Sequence, residues 1–378
     1  PFPGNRIPDT RIHAVSRKVL PLWPAANNPD PARPYVQNFN NPLDRDAFHL
    51  RGDYHLRSSD QFMARISSTD TEDRNPSIAF AGDSTNNKHK SGVVGWTHIF
   101  SPVMLNDARF SATLYQFELL PEGLGTDYAT QLGLPSFAIS PDILRHPTIA
   151  IRNIQSVGGN DAIPLFRKEI SYQWVDQFTW IRGRQTLKAG IDARRFQTNN
   201  FQPQTSMGNY TFNGPFTAQT SQTYANGFGD FLLGLPQQQR ILIPVGFDAN
   251  RLRNTRMSLY LQDDINVTSR LTINAGLRWE RDGNWTEKNN RWAYFDFSRG
   301  EVVYPKALSI PFTIPFPHRQ DDITSMKPPT NKAFAPRFGF AWRPFGGNRT
   351  VVRGAYGIFS AQPIGKSRLN TALTPPPF

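Results

Sequence analysis

The chain has 378 residues, a net charge of +12 and no cysteine. The lack of cysteine excludes disulfides, cysteine-ligated zinc and thiol nucleophiles. The mean hydropathy is −0.50, and no run of about 18 apolar residues occurs, so membrane-spanning helices are excluded. The low hydropathy does not exclude transmembrane β-strands, because only alternate residues of such a strand face lipid. The basic residues do not form one concentrated patch, so nucleic acid is not expected as a partner.

Residues 1–45 are rich in proline and have little periodicity. Proline removes a backbone donor and restricts the residue before it, so this segment is predicted to be an irregular, extended lead-in. The chain begins PFPGNRIPDT, without Met and without an apolar signal segment. We therefore expect it to be an internal piece of a longer protein.

Beyond the lead-in, residues 46–378 repeat one pattern: a strand, a short polar turn, a second strand and a long irregular connection. Alternation with a period of two indicates β-strands. Five such hairpins are predicted, at residues 46–67, 92–117, 169–196, 258–280 and 334–359. A further strand pair is predicted around Gly227–Pro236 and Gln239–Val245. The total is about ten to twelve strands with no long helix.

The clearest hairpin is Ser258–Glu280, SLYLQDDINVTSRLTINAGLRWE. Its second strand has a wholly apolar row on one face and a wholly polar row on the other. In its first strand, Asp263 falls in the apolar row, where we expect either an interfacial position or a β-bulge, because a charge facing lipid costs a few kcal/mol. Alternation alone does not decide whether the apolar row faces a soluble core or lipid.

The lengths of the connections between strands indicate that the apolar row faces lipid. Turns within hairpins are a few residues long, whereas residues 119–168, 197–227 and 283–332 form long connections. Structureless loops of that length are uncommon in compact soluble domains. Short turns on the periplasmic side and long loops outside are typical of outer-membrane barrels. The sequence therefore predicts an all-β fold, part of an antiparallel transmembrane β-barrel in the cell outer membrane.

Several segments resemble one family. Ser258–Glu280 resembles a recurrent barrel hairpin of TonB-dependent outer-membrane transporters, and most closely their Oar-like branch, whose members carry a carboxypeptidase-regulatory-like N-terminal domain. Four other segments are similar to that branch in the same order along the chain: Pro1–Pro8, Gly95–Pro102, Phe228–Pro236 and Phe334–Phe359.

The resemblance implies a barrel of up to 22 strands with a plugged lumen, of which this chain is a part. It also implies uptake or reception of a bulky extracellular ligand, with energy delivered by the TonB complex through a plug domain that this sequence does not show. Outer-membrane lipid is the other expected partner. Two alternatives stay open: a soluble β-sandwich for binding or adhesion, and a passive porin.

No catalytic, cofactor-binding or metal-binding residue is predicted, and the chain is not expected to be an enzyme. His49, Arg51, Asp53 and His55 share one strand face, but Arg51 between His49 and Asp53 disfavours a metal, so a lumen-facing polar row is favoured. The carboxylate pairs Asp263–Asp264 and Asp321–Asp322 point to opposite strand faces and cannot converge as acid and base.

The long loops carry aromatic residues for which two interpretations are open. They either capture an extracellular ligand or pack on one another within the loops. The residues concerned are Trp285, Trp292, Tyr294, Phe312, Phe316 and His318.

Overall fold

The computed structural model describes residues 2–30, 34–136, 138, 140–218, 226–242, 250–308, 316–323, 325, 330–346 and 349–359. Its main feature is a sheet with ten long strands in simple sequence order. The long strands are β1 Leu43–Arg57, β2 Asp60–Asn75, β3 Asp83–Ser101, β4 Met104–Pro121, β5 Leu165–Arg182, β6 Gln185–Phe201, β7 Asn250–Thr268, β8 Leu271–Asp282, β9 Thr330–Trp342 and β10 Val352–Gly357. The short strand Thr286–Glu287 also pairs with β7.

Every long strand is antiparallel to its neighbours, and the five predicted hairpins are confirmed as β1–β2, β3–β4, β5–β6, β7–β8 and β9–β10. Within the part of the chain that the structure describes, β1 and β10 form the two edges and do not pair with each other. Short turns join the hairpins at one end of the sheet, and the long connections lie at the other end.

Several strands are longer than the apolar alternation indicates. β3 begins at Asp83 and has 19 residues, whereas the predicted hairpin begins at Gly92. The added segment, residues 83–90, reads DSTNNKHK. It continues the backbone ladder with β2 and β4 but carries no apolar row. The sheet therefore extends beyond the apolar band at the long-loop end.

The prediction of a strand over Gly227–Pro236 is wrong, because Gly227–Leu233 is an α-helix. The Asn226 side chain caps it by accepting from the Gly229 amide at 2.9 Å, and Gly234 ends it in the left-handed conformation. A short apolar run without alternation does not distinguish strand from helix, whereas the Asn cap and terminal Gly are helix signals. The expected partner contributes only the short strand Gln238–Arg240, and residues 243–245 lie outside the described residues.

Two groups of loop residues fold into small units with their own cores. The first loop unit combines residues 9–23 of the lead-in with the described residues of 122–164 and 202–242. Its three short helices are Ala14–Val19, Tyr128–Leu132 and Gly227–Leu233. Its three-stranded sheet consists of Thr148–Ile151, Asn209–Phe212 and Gln238–Arg240. Four 3₁₀ turns lie nearby, at Pro3–Asn5, Asp9–Arg11, Leu20–Leu22 and Pro141–Ile143. The lead-in is thus not wholly extended, because Val19 is fully buried against Ile149, Phe212 and Phe231 in this core.

The second loop unit is formed by residues 283–323, as far as the structure describes them. Its sheet consists of Tyr294–Asp296, Glu301–Pro305 and His318–Asp321. Ala293, Val302 and Tyr304 form its core, with Leu308 and Phe316 packed against them. Both loop units lie at the long-loop end of the barrel sheet.

Candidate functional site: barrel interior and loop units

One face of the sheet is apolar and uncovered. In β7 and β8, Leu259 is opposite Trp279 and Leu261 is opposite Leu277. Leu261 is 58% exposed and Leu277 is 49% exposed, so no protein core covers this face. An uncovered apolar band with this periodicity is the lipid-facing surface of a transmembrane barrel. A soluble sandwich would bury the same residues, and that alternative is therefore wrong.

The opposite, inner face is polar and carries paired charges. Each pair joins groups on one strand or on adjacent strands, on the side away from the apolar band. The pairs are Arg109 Nε with Asp107 Oδ1 at 2.6 Å, Arg194 Nη2 with Asp192 Oδ2 at 3.1 Å, Lys188 Nζ with Asp264 Oδ2 at 3.1 Å, Arg256 Nε with Asp282 Oδ1 at 3.4 Å, and Arg278 Nε with Glu280 Oε1 at 2.7 Å. A polar interior is typical of barrels that enclose water or a plug.

A close backbone approach fixes one aromatic side chain in this interior. Tyr260 is opposite Gly190, and a Cβ on Gly190 would lie 2.5 Å from the Tyr260 ring. The Tyr260 hydroxyl donates to Gln177 Oε1 at 2.9 Å, two strands away. Glycine at position 190 therefore allows Tyr260 to lie flat across β6.

Polar residues line the outer face of β2–β5 toward the short turns. Asp60 Oδ1 lies 2.6 Å from His98 Nδ1 and accepts from Trp96 Nε1 at 3.0 Å. Asn106 Nδ2 donates to Asp176 Oδ1 at 2.6 Å. Because polar groups in a bilayer are tolerated when they are paired and close to the interface, these contacts mark the periplasmic edge of the lipid-facing band.

The position of Asp263 is neither interfacial nor next to a β-bulge, the two explanations expected from the sequence. It pairs regularly with Leu187 and Ala275, and the irregularity of the hairpin lies between Asn266 and Thr268. Ala275 is the middle residue of the apolar row of β8, so Asp263 lies within the band. Among the described residues, nothing hydrogen-bonds its buried Oδ1. Asp264 points to the inner face, as predicted from strand geometry.

The row of His49, Arg51, Asp53 and His55 lies on the face of β1 opposite Phe48 and Leu50. Arg51 binds both carboxylate oxygens of Asp53 at 2.8 Å, which leaves that carboxylate committed to an ion pair. In the part of the chain that the structure describes, no three His, Asp or Glu side chains are grouped so that they could hold a metal ion.

Most of the loop aromatics pack against other residues of the protein. Trp285 and Trp292 are 7% and 2% exposed. Trp292 stacks on Tyr294 with 6.3 Å between the ring centroids, and Phe316 packs on the core of the second loop unit. His318 lies edge-on to Tyr304 at 6.3 Å. Phe312 lies outside the described residues. Packing thus accounts for Trp285, Trp292, Tyr294 and Phe316.

Sequence reasoning did not single out the aromatics that the loops expose. Phe297 is 90% exposed and contacts Phe295 edge-on at 5.1 Å. Phe295 lies in the strand Tyr294–Asp296, and Phe297 begins the turn that ends at Gly300, which has a positive φ. The segment FDFSRG (295–300) is a turn signal with alternating aromatics. A turn after the strand Tyr294–Asp296 presents Phe297 to the extracellular side.

The first loop unit buries two basic side chains, Arg145 and His146. Arg145 is 1% exposed and donates to the carbonyls of His146 and Gly158, both at 3.2 Å. Burial lowers the pKa of Arg145 to about 10, and Asp161 opposes this shift. Burial likewise lowers the pKa of His146, which stacks on Phe80 at 5.4 Å. His146 therefore connects the loop after β4 to the loop after β2.

None of the helices in the described part of the chain is long and apolar enough to span a membrane. The sheet, its lipid-facing band and its polar interior define an outer-membrane β-barrel protein. The whole chain, residues 1–378, matches the family model described as an outer membrane beta barrel domain, and it therefore belongs to that family. The chain is thus a protein of the cell outer membrane.

Several solved structures are similar to the chain. They include the copper transporter OprC (10% identity, TM-score 0.45, 84% of this chain and 36% of that one) and the outer membrane transporter YddB from Escherichia coli (8%, 0.43, 84% and 31%). A third is the siderophore receptor PiuA from Acinetobacter baumannii (11%, 0.40, 80% and 40%). The chain spans 31% to 40% of the length of these structures. No curated protein matches its sequence.

Proposed function

We propose that this domain is part of a TonB-dependent receptor that takes up or senses a bulky extracellular ligand across the outer membrane. The observation that carries the proposal is the pair of folded loop units above a barrel sheet with a charged, polar interior. A loop with its own buried core presents a rigid surface, and a rigid surface suits specific recognition because less ordering entropy is lost on binding.

The second loop unit also reaches the mouth of the barrel. Trp285 packs against Leu252 and Phe196, which lie on the inner face of β7 and β6. This arrangement favours a receptor over a passive porin, since a loop unit packed at the mouth narrows the path for small solutes.

The proposal that TonB supplies the energy rests on the resemblance of Ser258–Glu280 and Phe334–Phe359 to barrel hairpins of that class. A polar interior lined with ion pairs supports it, because such a surface can hydrogen-bond to a protein plug. The Oar-like assignment rests on the same hairpins and on the shorter similar segments.

Two measurements on the full-length protein test the proposal. The first is binding of the purified periplasmic domain of TonB to the protein in detergent. The second is arabinose flux into liposomes that contain the protein. We expect TonB binding and little arabinose flux. Free arabinose flux without TonB binding would identify a passive porin instead.

A further inference from the structure

A basic cavity of about 560 Å³ lies at the periplasmic end of the inner face. Its floor is a single cross-strand row through four strands, in which Asn266, Thr272, Ala341 and Arg353 are successive partners. Arg270, from the β7–β8 turn, and Arg343, at the end of β9, complete the basic lining. The cavity is of the size that commonly holds a small ligand.

Local contacts hold two of these arginines in place. The Arg343 amide donates to the Arg270 carbonyl at 2.8 Å, and Arg343 Nη2 donates to the Ser269 carbonyl. Arg270 lies against the β9–β10 turn, where a Cβ on Gly346 would come within 2.8 Å of its Cζ. Gly346 has a φ of +74°, a backbone conformation that favours glycine at this position.

The cavity differs from the rest of the inner face in its charge balance. Elsewhere on β4–β8, arginines pair with carboxylates. In the described part of the chain, the lining of the cavity contains no acidic residue, and neither Arg270 nor Arg353 forms an ion pair. Asp264 lies one residue pair further along the same face, but Lys188 and Asn274 already bind its carboxylate, at 3.1 and 2.6 Å.

We propose that this cavity is a binding site for a small polyanion that carries phosphate or carboxylate groups and enters from the periplasmic side. Guanidinium groups match the planar geometry of both oxyanions and bind them through two parallel hydrogen bonds. Thr272 and Asn266 add neutral polar groups next to the guanidinium groups. This is a second ligand site, separate from extracellular ligand capture, and it goes beyond the proposed function.

The test is isothermal titration of the full-length protein in detergent with pyrophosphate and, separately, with citrate. Saturable binding of pyrophosphate alone identifies phosphate as the recognised group, and binding of citrate alone identifies carboxylate. The double variant Arg270→Gln/Arg353→Gln should weaken that binding at least tenfold, since a hydrogen bond to a charged group contributes about 1.5–3 kcal/mol and 1.4 kcal/mol is about tenfold. Binding should also weaken as salt is raised.

The matched control is Arg109→Gln, which removes an inner-face arginine outside the cavity that pairs with Asp107. It should bind the anion as the parent protein does. Heat-dependent gel mobility checks that each variant forms a folded barrel. The proposal is overturned if neither anion binds the parent protein, or if the folded double variant binds as tightly as the Arg109→Gln variant.

Discussion

Replacing Ile273 by Arg is the sharpest test of which face of the sheet meets lipid. Ile273 lies in the outer row of β8, opposite Ile265 and Phe340. Ile273 is two residues, or about 7 Å along the strand, from Ala275, which is the middle residue of that row. An arginine near the middle of the bilayer costs about 2–4 kcal/mol in such barrels and less toward the interface. We expect about 2 kcal/mol for Ile273→Arg.

The neighbouring residue provides a matched control. Asn274 points to the inner face, where its Nδ2 donates to Asp264 Oδ1 at 2.6 Å and its other cross-strand partner is Gly339. An arginine at position 274 can keep the contact with Asp264 and has space above Gly339. We therefore expect Asn274→Arg to leave the free energy of unfolding nearly unchanged.

The assay is urea unfolding of the protein in phospholipid vesicles, followed by heat-dependent gel mobility. A loss of about 2 kcal/mol corresponds to a roughly 30-fold shift of the folding equilibrium, well within the range of this method. Equal stability of Ile273→Arg and Asn274→Arg would contradict the lipid-facing assignment. A larger loss for Asn274→Arg would reverse it.

Asp263→Leu, in the adjacent strand β7, is the converse test, because it removes a charge from the apolar band. Asp263 is within the apolar band between Leu187 and Ala275, and its Oδ1 has no hydrogen-bond partner among the described residues. Asp263→Leu removes a carboxylate from the band, so the same urea measurement should show a gain of about 1 kcal/mol or more. A loss of stability would mean that the carboxylate has a favourable partner in the membrane.

Three further predictions concern the interior and the loop units. Gly190→Ala should displace the Tyr260 ring and lower barrel stability by about 1–3 kcal/mol in urea unfolding, as overpacking does. Trp292→Ala, which empties a buried site in the second loop unit, should cost that unit about 3–5 kcal/mol and expose it to protease while heat-dependent mobility persists. Burial lowers the pKa of His146 below 6.5, so the first loop unit should have full stability above about pH 6.5 and lose it as pH falls toward the lowered pKa. Hydrogen exchange at pH 5 and 7.5 measures this loss, and His146→Gln should abolish the pH dependence.

The barrel sheet could be predicted from the sequence because its rule is local. Each strand must alternate, and each hairpin must close with a short turn, so Leu271, Ile273 and Leu277 define a face without knowledge of any other strand. The polar extensions such as residues 83–90 could not be found in this way. They are held by ladder hydrogen bonds to neighbouring strands rather than by an apolar row.

The loop units follow a different rule, which explains why their parts were missed. The core of the first loop unit joins Val19, Ile149 and Phe231, which are far apart in the sequence and have no shared period. The barrel brings the three segments together at one rim, and only then does the apolar face of Ala14–Val19 have a partner. The basic cavity has the same origin, since Arg270, Arg343 and Arg353 meet through strand register. A site made by register at the rim of a barrel is invisible to any single segment, although each strand that forms it is readily predicted.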